Sequence, residues 1–194
     1  MRPVRAPRPL AAERAWDYAL DLLARRAATA AEVAERLERR GVERARVDEI
    51  VARLVELRLL DDRAFAAAYL RRRRDQRGRH ALRAELLRKG VGEEVVEGAL
   101  RGEDDEVALD EDQQRAAAAA LLAKHAWRFA PRPVAPAAGA TPTDAARADA
   151  DARRRARARA AAFLARRGFA PDAVASAVAE LPGDPDDDAV PDLS

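Results

Sequence analysis

Apolar residues along this chain recur at three- and four-residue intervals. Val47, Ile50, Val51, Leu54 and Leu57 form one such series, the spacing of a single buried helix face. Trp16, Ala19, Leu22 and Leu23 form another, predicting a helix over about 13–27. A third helix is predicted over about 62–77, opened by Asp61 and Asp62 and carrying Phe65 and Tyr69 one turn apart. A further helix over about 106–128 ends in Trp127 and Phe129. These two rings could stack on bases, but aromatics late in a helix point to the core. The valines follow helical spacing and not alternation, so strands are not expected.

The pattern repeats. Gly41, Gly90 and Gly168 each follow two basic residues (Arg39-Arg40, Arg88-Lys89, Arg166-Arg167) and precede an apolar one (Val42, Val91, Phe169). A leucine stands four positions upstream each time (Leu37, Leu86, Leu164), and a valine six positions downstream (Val47, Val96, Val174). The unit reads as a helix stopped by a left-handed glycine, with basic side chains at its carboxyl end and a second helix following. Thr29 to Glu32 has the form of a capping box opening the helix before Gly41. With one more helix ahead of each glycine-centred pair, the expected fold is all-α. It would be three tandem three-helix repeats forming an elongated, curved helical array. The glycines at 90 and 168 lie farther apart than those at 41 and 90. The surplus falls in an Ala/Pro-rich stretch holding Pro131, Pro133, Pro136 and Pro142, expected to be a flexible insertion. The expected organisation is a flexible arm over 1–12, repeats over 13–60 and 61–101, and a third repeat over 102–181 interrupted at 130–152. An acidic disordered tail over 182–194 would complete it.

Composition supports thin, locally packed helices over one large core. Charged residues make up 36% and aromatics 4% of the 194 residues, and much of the 48% hydrophobic share is alanine, a strong helix former that buries little area. The absence of cysteine removes disulfides, thiol catalysis and Cys-based zinc sites. No stretch approaches the roughly 18 uninterrupted apolar residues of a membrane span. Prolines 3, 7 and 9 break up the N-terminal segment that a signal peptide would need to be apolar. A cytoplasmic location is expected.

The net charge of +2 hides strong segregation. Residues 63–89 hold ten basic residues against two acidic, and 153–167 hold seven basic and no acidic ones. Residues 103–112 hold seven acids and no base, and 184–192 five acids. Basic blocks this dense commonly face a polyanion.

The Thr29 box, the Arg-Arg-Gly-Val turn and above all Leu59-Leu60-Asp61-Asp62-Arg63-Ala64-Phe65-Ala66 resemble RecX, the family of bacterial regulators of the RecA recombinase. Glu85 to Val91 and Arg166 to Phe169 are similar to it as well. The resemblance covers about 13–129 and 153–181; the long insertion and the acidic tail depart from it. It implies a modular helical protein that binds in the groove of the RecA–DNA filament. There it would inhibit ATP hydrolysis, strand exchange and the filament's co-protease role.

Candidate contacts with DNA or filament are Arg71, Arg72, Arg73, Arg74, Arg77 and Arg79, whose guanidinium forks suit phosphates and carboxylates. A solvated helix end is the plainer account of that block. The second candidate set is Arg153, Arg154, Arg155 and Arg157, expected at the start of the helix leading to Gly168. Cations oppose the dipole there, so their presence would point to an anionic partner. A low-complexity Ala/Arg stretch explains them equally well. Asp61 and Asp62 are expected to be structural, one capping the next helix and the other pairing with an arginine. The acids of 103–112 fit a solvated helix start better than a Mg²⁺ site. With the tail, they could also mask the basic surface. His80 and His125 lie apart with no ligand set around them.

No phosphate loop, nucleophile elbow or pair of catalytic acids is present, so no enzyme and no cofactor is expected. The expected partners are the RecA filament and single- and double-stranded DNA without sequence preference, engaged by a monomer. The rivals are a non-specific helical DNA-binding protein without a recombinase partner, and a metal-dependent nuclease using the acidic segments.

Overall fold

A computed structural model of the chain describes residues 10–103, 109–131 and 141–181. Among these residues the secondary structure is entirely helical, with nine α-helices and two short 3-10 turns. They are α1 (Ala15–Arg25), α2 (Ala30–Glu38), α3 (Arg44–Glu56), α4 (Asp62–Arg73), α5 (Arg79–Arg88), α6 (Glu93–Arg101), α7 (Glu111–Lys124), α8 (Pro142–Ala165) and α9 (Pro171–Ala179). Helix starts are written locally. Thr29 accepts a hydrogen bond from the Glu32 amide at the head of α2 (3.1 Å), and Asp110 accepts one from the Gln113 amide at the head of α7 (2.7 Å).

Packing groups the described residues into two compact units, one of 10–72 with 83–103 and the other of 73–82 with 109–131 and 141–181. In the first, Ala15, Ala19, Val33, Leu37, Val47, Ile50 and Leu54 are buried together from α1, α2 and α3. In the second, Ala118, Leu122, Phe129, Ala160, Phe163, Leu164 and Phe169 form the core. Small alanines let these helices approach closely, while leucines at each turn supply most of the apolar area.

Four expectations are corrected here. Residues 142–152 belong to a helix and not to a flexible insertion. Thr141 caps α8, Pro142 occupies its first turn, and Asp144 bonds back to the Thr141 amide to complete a capping box. Leu57, expected in the core, is 44% exposed; α3 stops at Glu56, so the residue leaves the helix face that buries Leu54. Helix α4 ends at Arg73, not near 77, as the chain turns toward Gly78. Trp127, expected in the core, is 78% exposed. Helix α7 ends at Lys124, and a 3-10 turn over Ala126–Arg128 swings the indole outward while Phe129 stays buried. The tail 182–194, the arm 1–9, and residues 104–108 and 132–140 lie outside the described residues.

Candidate nucleic-acid interface

The three glycines stop their helices in the left-handed region, with φ of 78° at Gly41 and Gly90 and 79° at Gly168. The basic residue just before each turns back over an aromatic ring. The Arg40 guanidinium lies 5.0 Å from the Tyr18 ring centre, and that of Arg167 4.1 Å from Phe163. The Lys89 ammonium lies 5.6 Å from Phe65 and 5.7 Å from Tyr69. These cations pack on apolar faces. Half of each basic pair in the repeated turn is therefore structural.

The later two turns also dock onto the start of an earlier helix. The Thr29 hydroxyl donates to the Lys89 carbonyl (2.6 Å), and Lys89 pairs with Glu32 (2.8 Å). In the second unit the Gly78 amide donates to the Arg167 carbonyl (2.9 Å) and the His80 amide to the Gly168 carbonyl (3.1 Å). Gly78 stands where Thr29 stands in the earlier helix, and only the shared spacing to the glycine turn signals that in the sequence. At the first turn the Leu10 amide fills the same place, donating to the Arg40 carbonyl at 2.7 Å.

Asp61 accepts from the Ala64 amide (2.9 Å) and so caps α4. Asp62 accepts from the Ala30 amide at the head of α2 (3.0 Å). Burial pushes the Asp62 carboxyl up, with the charges of Asp61 and Glu32 adding to the effect and the Ala30 amide opposing it. Burial also acts to raise Glu32, but the hydrogen bonds and charges of Lys89 and Arg26 outweigh it and hold that carboxyl below its usual range. Phe65 stacks on Tyr69 at 6.1 Å, and Tyr69 donates to Glu85 (2.6 Å). The Asp61–Phe65 segment thus ties α4 to α2, and among the described residues no group of three or more His, Asp or Glu side chains could hold a metal.

The first basic block lies across the end of α4 and the start of α5. Arg71 and Arg72 are exposed, and Arg73, Arg74 and Arg77 half-buried. Arg74 lies 3.9 Å from Asp75. Arg79 is partly consumed in holding its own helix: its amide donates to buried Gln114 (2.7 Å) and its guanidinium to the Leu109 carbonyl (3.1 Å). The second block does not open a helix. Arg153 lies about three turns into α8, so no dipole penalty accompanies it. It pairs with Asp149, and Arg154 with Asp151. Arg155 is exposed, and Arg157 donates to the Leu181 carbonyl (3.4 Å) while its Nε is buried without a partner.

Within the second unit the structure gathers basic residues from distant stretches. Burial lowers the Arg167 guanidinium from its ordinary value, and the charges of Arg77, Arg128 and Arg166 lower it further. Arg128 also reaches over Trp127 (5.9 Å) and Phe163 (5.6 Å). Arg128 is not prominent in the sequence, since a lone basic residue beside an aromatic has no periodic signature; Trp127 is prominent there, but its exposure is not legible.

Two family models match the chain: the first three-helix domain of RecX over residues 15–54 and its second three-helix domain over 61–100. Over these residues the chain carries the paired three-helix domains of the RecX family. A regulatory protein RecX from Mycobacterium sp. (strain KMS) is 43% identical over 90 residues, 45% of this chain and 49% of that relative. One from Chlorobium phaeobacteroides (strain BS1) is 36% identical over 94 residues, 47% of this chain and 62% of that relative. The chain thus matches about half to three-fifths of these RecX relatives' length. The crystal structure of RecX from Lactobacillus salivarius superposes with a TM-score of 0.65 at 20% identity, covering 88% of this chain and 96% of that one. A second RecX crystal structure gives 0.68 at 22% identity, covering 87% and 73%. The helical fold of the RecX family therefore extends past the two matched domains into α7–α9.

Proposed function

We propose that this chain is a mainly negative regulator of the RecA recombinase. It binds the RecA–DNA filament and inhibits its ATPase, strand-exchange and co-protease activities, acting by occupancy and not by turnover. The match to both RecX three-helix domains carries this reading. The exposed arginines at the end of α4 supply a surface suited to phosphate or to acidic protein, since guanidinium forks bond both.

The measurement that tests it is RecA's DNA-dependent ATPase, titrated with the purified chain. Inhibition is expected at amounts too small to coat the DNA. Inhibition only at coating amounts would favour the second reading, a non-specific helical DNA-binding protein without a recombinase partner. The gathered guanidiniums of Arg77, Arg128, Arg166 and Arg167 are the observation behind that alternative.

A further inference from the structure

The turn after α7 and the middle of α8 enclose a groove that phosphate contacts alone do not explain. It has a volume of about 520 Å³, and its lining includes Trp127, Phe129, Arg153, Arg157 and Leu181 but no acidic residue. Trp127 is the largest exposed apolar side chain among the described residues, at 78% exposure. An exposed indole offers a planar face suited to stacking on another ring. Arg128 lies over that ring, and the Arg157 Nε is buried beside the groove with no hydrogen-bond partner. Arg157 is part of the lining, so its guanidinium stands where an entering anion would meet it.

We propose that this groove binds an unpaired base of a single-stranded polynucleotide, stacked on Trp127, with its phosphates on Arg157 and Arg128. Three features favour this occupant. The flat indole suits a planar ring and is indifferent to which base it is. The lining carries Arg153 and Arg157 and no acidic residue, so it favours an anion. A base paired within a duplex cannot present its face to the indole, so the site distinguishes single strands from duplex, which the arginines at the end of α4 do not. This deepens the proposed function by giving the two basic regions different roles: phosphate contact at α4, base stacking at Trp127.

The test titrates the full chain with a 15-nucleotide oligothymidylate while following tryptophan fluorescence, without any recombinase. Binding should quench the emission. Trp127→Ala should remove most of the quench and weaken binding about tenfold, while Trp127→Phe keeps most of the affinity. Arg157→Gln should weaken binding and leave the quench at saturation. A duplex of equal length should lose less than twofold with Trp127→Ala. Oligouridylate shows whether the sugar matters, and quenching by either strand supports the site. Unchanged oligonucleotide affinity in Trp127→Ala overturns the proposal. So does an equal loss for duplex. Because no recombinase is present, failure here leaves the filament reading standing. Failure of ATPase inhibition with oligonucleotide binding intact leaves the groove standing.

Discussion

The Gly90 and Gly168 turns have the same motif and nearly the same φ, yet they dock by different chemistry. Around Gly90 the contact is made by side chains: the Thr29 hydroxyl, the Lys89–Glu32 pair, and the Ala31 methyl, which lies 2.2 Å from where a Cβ on Gly90 would be. Around Gly168 it is made by backbone. The amides of Gly78 and His80 bond the turn, and a Cβ on Gly168 would meet the Ala81 amide nitrogen at 2.4 Å. A repeated sequence motif thus fixes a backbone shape without fixing what that shape touches. The side-chain version can be altered one group at a time; the backbone version cannot.

Substitutions can break this contrast in order of size. Gly168→Ala is expected to have the largest effect, about 3 kcal/mol, combining left-handed strain with a clash that only backbone movement relieves. Its denaturation midpoint should fall accordingly, and no substitution at Ala81 should restore it. Gly90→Ala is expected to cost about 2 kcal/mol, with roughly half recovered by adding Ala31→Gly, since the methyl is the obstacle there. Failure of that rescue would erase the distinction between the turns.

Lys89→Ala should cost about 1 kcal/mol through loss of the cation–ring and partly exposed ion-pair contacts. It also bears on pH. Glu32 titrates below its usual range, so its contribution is present at neutral pH and lost as pH falls through that lowered value. The Lys89→Ala chain should therefore show a shallower loss of stability in acid than the parent. Asp62→Asn is expected to give the smallest effect, a gain of about 0.5 kcal/mol at neutral pH. Asparagine keeps the acceptor for Ala30 and removes a charge that burial disfavours. Because the Asp62 carboxyl is raised in the fold, that advantage should shrink as pH falls through its pKa.

Much of this fold is legible in the sequence, because each glycine turn needs a left-handed residue and each helix start a short polar cap. Thr29 and Glu32 announce α2 in that way. Thr141, Pro142 and Asp144 use the same grammar to open α8, but the neighbouring prolines and alanines make the stretch read as linker. That one missed start moves Arg153 from a helix end to mid-helix and cancels the electrostatic argument made for it. Trp127 escapes for a related reason: periodicity assigns a face only while the helix lasts, and α7 ends at Lys124. The convergence of Arg77 with Arg128, Arg166 and Arg167 is a product of tertiary packing, and no local pattern encodes it.

The central claim is that the glycine turns build the scaffold and the displayed arginines carry the function. Its most direct test is Arg72→Ala combined with Arg74→Ala, followed by ATPase inhibition and thermal unfolding on the same preparation. Arg72 is exposed and Arg74 only loosely paired, at 3.9 Å from Asp75, so the unfolding midpoint should stay within a degree or two. The concentration needed for half-inhibition should rise about tenfold, and the salt dependence of DNA binding should flatten by about one to two units of slope. Undiminished inhibition with an unchanged salt slope, at an unchanged midpoint, would contradict the account.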